Sequence, residues 1–293
     1  MIEFRHYRDE DYEALCAFLI ALNRDDRRHI NWNWARLEWM IEHPEFDKSL
    51  RASIGLWAEG GKLVGAAIYD MYFGEAFCGV LPEHTALYPE VLRYAYEALK
   101  DEAGLALAIC GESAEEIAAA RSLGFVLTEQ AETIMSRALD APLSAPLPEG
   151  FSFAELDPRA EPRAFQWLMW QGFDHGADLS EFEADFEKTM RLGLKPRPHF
   201  DPHLSVAAVD ESGEKVSYCC VWYDARTDYA YVEPVCTIPA RRGRGVTRAV
   251  VFEALDRART LGAKKAYVIS DLAFYEKLGF EKELRFSFYR KEQ

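Results

Sequence analysis

Apolar and polar positions recur in the same order in the two halves of the chain. Each half opens with a short alternating segment typical of a strand, at residues 2–5 and 151–154, and continues with two segments of helical periodicity. Two further alternating runs then flank a glycine-containing turn, which predicts a β-hairpin in each half. These hairpins fall at 53–58 with 62–70, and at 204–210 with 215–223.

The later part of each half repeats as well. A longer helix is predicted at 88–101 and at 246–261, and a short apolar strand follows at 105–110 and at 266–269. The tripeptide Leu-Gly-Phe closes a short helix in both halves, at 123–125 and 278–280. Because matched points lie a nearly constant 149 to 155 residues apart, the pattern indicates one duplicated domain and not a solenoid.

Residues 141–150 separate the two halves. This stretch contains three prolines and no periodic apolar face, which is typical of an extended connector. We therefore expect two domains, at 1–140 and 151–293, joined by the linker 141–150. The order of elements predicts the α+β class, with a mixed twisted sheet and helices on its faces in each domain.

Length and composition agree with this division. A chain of 293 residues exceeds most single cores, and 49% hydrophobic residues provide apolar surface for two. No run approaches the roughly 20 apolar residues of a membrane helix, and the first residues show no signal-peptide pattern. A cytoplasmic protein without a membrane partner is therefore expected.

Metal and redox motifs are not expected. The six cysteines include no C-x-x-C pair and fit reduced, buried thiols. His199 and His203 flank Asp201, but Pro198 and Pro202 exclude a helix that could align the two rings on one ion. An ordinary loop without a metal is the simpler interpretation.

The net charge of −15 is unevenly distributed. Residues 1–140 hold 13 basic and 25 acidic side chains, whereas residues 151–293 hold 21 basic and 23 acidic ones. The first half would repel nucleic acid and anionic membranes. No nucleic-acid partner is therefore expected, and the second half is the better host for an anionic ligand.

The stretch from Tyr229 to Thr247 is the most informative. A strand leads into a basic, glycine-rich turn, and a helix begins at once and stops at Gly262. Backbone N–H groups and the positive helix end then face one spot, which suits a phosphate or pyrophosphate. Gly243 and Gly245 let the backbone approach the ligand closely. Positive charge is added by Arg241, Arg242 and Arg244.

This loop lacks the G-K-[ST] of a Walker motif and the spacing of G-x-G-x-x-G. It reads R-x-x-G-x-[small], with Arg242, Gly245 and Thr247 at the fixed positions. It resembles the pyrophosphate loop [R/Q]-x-x-G-x-[G/A] of the GNAT superfamily of N-acetyltransferases, with Thr247 in place of glycine or alanine. A second signature of that superfamily, Tyr followed by x-x-[L/F]-G-F, is matched from Tyr275 to Phe280. The resemblance covers 151–293 well and the first half in outline.

The resemblance implies two tandem GNAT-like domains, of which the second binds acetyl-CoA as a co-substrate. The pantetheine arm and the acetyl carbonyl would be held by the backbone of Val235, Cys236 and Thr237. The pyrophosphate would be held by Arg241, Arg242, Gly243, Arg244, Gly245, Val246 and Thr247.

Acetyl transfer from a thioester to an amine needs a base for the amine and an acid for the departing thiolate. Glu233 is the predicted base, acting through water, although members of the superfamily often have this acid where Tyr231 stands. The alternative for Glu233 is a solvated strand residue. Tyr275 matches the acid of the superfamily, and its alternative is a core aromatic. Pro234 cannot donate to a ladder, so it predicts a bulge that separates this strand from the next.

The first half lacks both signatures. Residues 80–88 contain no glycine pair and no arginine, and Ala120 stands where the second half has Tyr275. A degenerate GNAT-like domain is therefore expected at 1–140. The tryptophan-rich stretch 29–40 fits either buried helix packing, the simpler interpretation, or the lining of an acceptor pocket.

These observations favour an N-acetyltransferase that acts on a primary amine of a small molecule or peptide. The alternative is a non-catalytic acyl-CoA-binding or protein-interaction module. Peptidyl transfer from aminoacyl-tRNA, which tandem proteins of related fold perform, is disfavoured by the acidic first half. An oligomer is compatible with the sequence.

Overall fold

The computed structural model describes residues 1–41, 43, 46–176, 178–192 and 198–293. Its internal contacts divide the chain into two compact units. The first unit contains Met1–Met135, Ile269–Glu276 and Glu281–Gln293, and the second contains Ser136–Val268 and Lys277–Phe280. The repeat predicted at 1–140 and 151–293 describes the order of elements along the sequence, whereas the end of the chain packs with the first unit.

Ten elements follow one another in the first half of the chain. They are β1 (Ile2–His6), α1 (Tyr12–Leu22), α2 (Trp34–Ile41), β2 (Gly55–Glu59), β3 (Lys62–Asp70), β4 (Tyr72–Val80), α3 (Tyr88–Leu99), β5 (Leu105–Cys110), α4 (Ala114–Ser122) and β6 (Val126–Ala138).

The second half repeats this order. Its elements are β7 (Phe151–Glu155), α5 (Pro162–Gly172), α6 (Leu179–Leu192), β8 (Ser205–Asp210), β9 (Lys215–Tyr223), β10 (Tyr229–Thr237), α7 (Val246–Leu261), β11 (Lys265–Ile269), α8 (Ala273–Lys277) and β12 (Glu281–Lys291). Mixed strands and helices in both halves confirm the α+β prediction.

The sheet of the first unit has the strand order β1-β2-β3-β4-β5-β12-β6. Strands β1 to β4 pair antiparallel in sequence order, and β4 runs parallel to β5. Strand β12, the last of the chain, pairs antiparallel with β5 and places Phe286 opposite Cys110. The closing strand of the second half therefore completes the sheet of the first unit.

The second unit has the strand order β11-β10-β9-β8-β7, in which only the β10 and β11 pair is parallel. Helix α7 packs on β8, β9 and β10, and helix α5 packs on β9 and β10. The inner face of α7 includes Val250, Ala254 and Leu255, all fully buried. Full burial of a leucine side chain stabilises the fold by about 1.5–3 kcal/mol.

The structure bears on several local expectations. Helix α7 has the predicted bounds and ends at Gly262, whose φ of +119° favours glycine. The connector 141–150 has no helix or strand, and the Leu143 N–H donates to the Asp256 carboxylate at 2.9 Å. All six cysteines are buried and lie outside any disulfide. Within the described ranges, no helix is both long and apolar enough to cross a membrane.

Candidate functional site

Strand β10 contains one extra residue relative to its partner β9. Val232 lies opposite Val221, whereas Val235 lies opposite Cys219, so three steps along β10 match two along β9. The irregularity falls at the cis bond between Glu233 and Pro234. The predicted bulge is therefore confirmed, since Pro234 has no N–H for the ladder.

Strands β10 and β11 separate where this bulge begins. Their parallel pairing ends at Tyr231, so the remainder of β10 has no β11 partner in the part of the chain described. The Ile238 N–H donates to the Val216 carbonyl on β9 at 3.0 Å. Because amides alternate in direction along an antiparallel strand, the N–H groups of Val235 and Thr237 face away from β9. These two backbone donors therefore face the edge of β10 that is not paired with β11 beyond Tyr231.

The loop after β10 turns sharply into α7. A 3-10 turn at Pro239–Arg241 precedes Gly243 and Gly245, whose φ angles of +75° and +85° lie in the left-handed region. A Cβ atom built at either glycine would meet no described atom within 4 Å, so the loop faces open space. The Ala249 N–H donates to the Gly245 carbonyl at 3.1 Å. The N–H groups before Ala249 have no acceptor within the helix, so they can donate to a ligand at its positive end.

Arg242 binds the protein itself. Its Nε donates to the Thr237 carbonyl at 2.9 Å, and its terminal nitrogens donate to the Gly172 carbonyl at 2.9 Å and to the Asp174 carboxylate at 3.0 Å. The side chain therefore joins the end of β10 to the end of α5 and fixes the start of the loop. Sequence reasoning missed Gly172 and Asp174, because about 70 residues separate them from Arg242 and no motif marks them.

The other two loop arginines differ in their surroundings. Arg241 donates to the Asp210 carboxylate at the end of β8, at 2.7 Å. Arg244 is exposed, and no residue in the described ranges forms an ion pair or hydrogen bond with its side chain. Of the three arginines predicted to bind pyrophosphate, Arg244 is the one whose guanidinium is not already engaged.

A chain of three hydroxyl groups holds the first turn of α7 to the end of β10. The Ser217 Oγ donates to the Cys236 carbonyl at 3.2 Å and lies 2.7 Å from the Thr237 Oγ1, which lies 2.6 Å from the Thr247 Oγ1. Each hydroxyl has one proton. Since Ser217 donates to the carbonyl, Thr237 donates to Ser217 and Thr247 donates to Thr237. The hydroxyl proton of Thr247 is therefore directed into the protein.

Cys236 packs against α5. Its thiol lies 3.8 Å from the Leu168 carbonyl, and a Cβ atom at Gly172 would come within 2.6 Å of its Sγ. Burial raises the pKa of the Cys236 thiol to about 12. A thiol with this pKa is a packing group and not a nucleophile.

Glu233 is held in place by two neighbours. The Tyr231 hydroxyl donates to the Glu233 carboxylate at 2.7 Å, and the Trp222 Nε1 donates to the Glu233 carbonyl at 2.7 Å. The side chains of Tyr231 and Glu233 therefore meet on one face of β10, as the alternation of the strand predicts. Glu233 is half-buried, so its side chain is partly accessible to solvent.

Tyr275 lies in α8 with a buried side chain, and its ring packs against Phe274 at a centroid distance of 5.1 Å. This residue belongs to the first unit, whereas Glu233 and the loop belong to the second. The role of Tyr275 as an acid stays a prediction.

The corresponding corner of the first unit is lined by polar side chains. A 3-10 segment at Pro82–Leu87 replaces the glycine turn, and the Tyr88 hydroxyl lies 3.1 Å from the His29 Nε2. Glu116 is buried beside them, and burial holds the pKa of its carboxyl well above the usual range. A carboxyl group thus lines this corner, whereas backbone N–H groups line the glycine turn of the second unit.

Residues 163–280 match the Acetyltransferase (GNAT) family. The matched segment includes the loop and both signatures, which confirms the resemblance found in them. No curated protein matches the chain.

Solved structures extend the likeness to the whole chain. A GCN5-related N-acetyltransferase from Sphaerobacter thermophilus is 19% identical, with 99% of this chain and 95% of that chain covered at a TM-score of 0.60. A tandem GNAT protein from the clavulanic acid biosynthesis pathway is 17% identical, with coverages of 100% and 98% and a TM-score of 0.64. At these identities the likeness shows the fold alone. The chain therefore has a tandem GNAT fold.

Proposed function

We propose that this protein is an N-acetyltransferase that moves an acetyl group from acetyl-CoA to a primary amine by direct attack in a ternary complex. The strongest support is the separation of β10 from β11 together with the glycine turn that leads into α7. Strand β10 loses its β11 partner after Tyr231 and then turns through Gly243 and Gly245 into α7. The split admits a narrow thioester arm, and the turn offers amides to its pyrophosphate.

The co-substrate has a consistent path across these elements. The N–H groups of Val235 and Thr237 face the split and would hold the pantetheine arm and the acetyl carbonyl, while Cys236 packs the strand against α5. The first N–H groups of α7 and the guanidinium of Arg244 would bind the pyrophosphate. Arg241 and Arg242 position the loop through Asp210, Asp174 and two carbonyls.

The chemistry follows from the groups near the split. The amine nitrogen attacks the thioester carbon, the C–S bond breaks, and the thiolate leaves with the electron pair. Glu233 accepts a proton from the amine through a water molecule. A backbone N–H at the split stabilises the developing oxyanion. The proposal keeps Tyr275 as the acid that protonates the thiolate, on the strength of the second signature, and it needs no metal ion.

The acceptor is proposed to be a primary amine of a small molecule or a peptide. With 49 acidic and 34 basic residues, the protein attracts cationic acceptors more readily than anionic ones. A cytoplasmic location, where acetyl-CoA is made and used, goes with this proposal.

An acetyl-CoA turnover assay with release of the free thiol as readout tests the proposal. Thiol release that depends on one class in a panel of amines, with the acetylated amine identified by mass spectrometry, is the expected result. Binding of acetyl-CoA without turnover on any amine would instead support a non-catalytic acyl-CoA-binding module. Calorimetric titration should give one acetyl-CoA per chain, because the first unit has no glycine turn at the matching corner.

A further inference from the structure

An acidic cleft lies in the first unit, between α2, β4 and β6. Its charged side chains are Arg36, Asp70, Glu75 and Glu132, and Asn31 and Trp32 form part of its wall. The cleft encloses about 240 Å³ of space, part of it open to solvent, and it has room for a group about the size of a water molecule. Three carboxyl groups and one guanidinium therefore line this small space.

One arginine lines the acidic cleft, and it contacts two of the three carboxylates. Arg36 lies 3.1 Å from the Asp70 carboxylate and 3.6 Å from the Glu132 Oε1. It also donates to the Asn31 carbonyl at 2.9 Å and lies over the Trp32 ring at 5.0 Å. Glu75 is half-buried, and no side chain in the described ranges forms a hydrogen bond or an ion pair with it.

Two further acceptors in the acidic cleft lack a donor. Asn31 is only 2% exposed, and its Oδ1 has no hydrogen-bond partner among the described residues. The Glu132 Oε2 is likewise buried and without a donor in those ranges. A buried acceptor without a donor destabilises the folded protein, because it has lost its hydrogen bonds to water. Asn31, Glu75 and Glu132 all line this cleft, and a ligand with several N–H donors would satisfy their acceptor atoms.

The arrangement favours an organic cation over a metal ion. Within the described part of the chain, no three His, Cys, Asp or Glu side chains are placed to hold one ion. A primary ammonium group is close to a water molecule in size, has one positive charge and supplies three N–H donors, one for each acceptor. An aliphatic tail attached to it would leave through the open side of the cleft.

We propose that the acidic cleft binds the primary ammonium end of a small aliphatic amine, with Asn31, Glu75 and Glu132 as its acceptors. This site uses residues of the first unit alone and needs no acetyl-CoA. A test of this site is therefore independent of acyl transfer in the second unit. The first half of the chain, which has no glycine turn at residues 80–88, would thus bind a cation.

Calorimetric titration of the full chain with n-butylamine at neutral pH, in the absence of acetyl-CoA, tests the proposal. We expect one site per chain with a Kd of about 1 mM or lower. Glu75→Gln and Glu132→Gln should each raise that Kd by about tenfold, which corresponds to the loss of one charge-assisted hydrogen bond. The matched control is Glu129→Gln, an exposed position on the same strand β6, which should change the Kd by less than about twofold.

Two analogues separate charge from hydrogen bonding. Butyltrimethylammonium keeps the charge and lacks N–H donors, and n-butanol keeps the tail and lacks the charge, so both should bind at least about tenfold more weakly than n-butylamine. Circular dichroism spectra should show that the variants are folded. No binding of n-butylamine, or equal weakening by Glu75→Gln and Glu129→Gln, would overturn the site.

Discussion

The Oγ1 atoms of Thr237 and Thr247 lie 2.6 Å apart and connect the end of β10 to the first turn of α7. Proton counting along the chain from Ser217 makes Thr247 the donor of this hydrogen bond. The side chain at a position where the family has glycine or alanine therefore acts as an internal clamp.

Replacement of Thr247 tests this clamp. Thr247→Val removes the hydroxyl and keeps the branched shape, so it should lower the free energy of unfolding by about 1 kcal/mol. Thr247→Ser keeps the hydroxyl and should remain close to the wild type. Urea denaturation measures both. A Thr247→Val protein of unchanged stability but weakened acetyl-CoA affinity would show that the hydroxyl serves the phosphate and not the fold.

Gly245 offers a sharper test of the loop, because the chain contains a matched control. Gly245 and Gly213 have φ angles of +85° and +84°, and a Cβ at either meets no described atom within 4 Å. Valine at either position imposes a similar backbone strain of about 1–2 kcal/mol. Only Gly245→Val should block the approach of the pyrophosphate and weaken acetyl-CoA binding by about a hundredfold or more. Equal affinities of the two variants in a calorimetric titration would remove the loop from the proposed site.

The loop arginines should separate into a ligand-binding and a structural group. Arg244→Ala removes the unengaged guanidinium and should weaken acetyl-CoA binding by about tenfold, with a smaller effect at high salt. Arg241→Ala breaks the contact with Asp210 and should change the affinity by less than about twofold. Binding titrations at two salt concentrations distinguish the two. The assignment fails if Arg241→Ala causes the larger loss of affinity.

Glu233 and Tyr231 should affect turnover to different degrees. Glu233→Gln removes the proposed base and should lower kcat by about 10²- to 10⁴-fold, with little change in the KM for acetyl-CoA. Tyr231→Phe removes only the hydrogen bond that orients the carboxylate and should have an intermediate effect. The exposed Glu214→Gln serves as the control in the same unit. Wild-type turnover in Glu233→Gln would leave Glu233 as a solvated strand residue.

The stability of the protein should fall as the pH rises through the range in which Glu75 ionises. Burial first, and then the charges of Asp70 and Glu132, raises the pKa of Glu75 to about 7, against the opposing effects of Arg36 and Arg290. The unfolded chain loses this proton near pH 4.3, so the folded state binds more protons between about pH 4.3 and 7. The protonated carboxyl of Glu75 therefore stabilises the protein below about pH 4.3, and this contribution is lost as the pH rises to about 7.

Glu75→Gln should remove this dependence. At pH 8 the variant should be more stable than the wild type by about 1–2 kcal/mol, a value reduced for the partial exposure of the side chain. At pH 4 the two proteins should be nearly equal. Urea denaturation at both pH values measures the difference, and a wild type that is equally stable relative to the variant at pH 4 and pH 8 would contradict the raised pKa.

The sequence by itself determined the features that depend on single residues and their neighbours. Pro234 has no N–H, so a bulge in β10 follows from its covalent structure. Gly243 and Gly245 permit positive φ angles, and the 3.6-residue periodicity of α7 together with Gly262 sets the bounds of that helix. Because these properties are local, the loop and both halves of the fold were predictable.

Only the tertiary structure decided the contacts between distant residues. Pairing of β12 with β5 joins Phe286 to Cys110, across 176 positions of the sequence, and backbone ladders have no residue code that would reveal such a partner. Arg242 can donate to the Gly172 carbonyl only after the elements have packed. The same holds for the charges of Asp70 and Glu132, which raise the pKa of Glu75. Charge, burial and hydrogen bonding of these groups are set by neighbours in space, and for this reason the structural role of Arg242 and the acidic cleft required the fold.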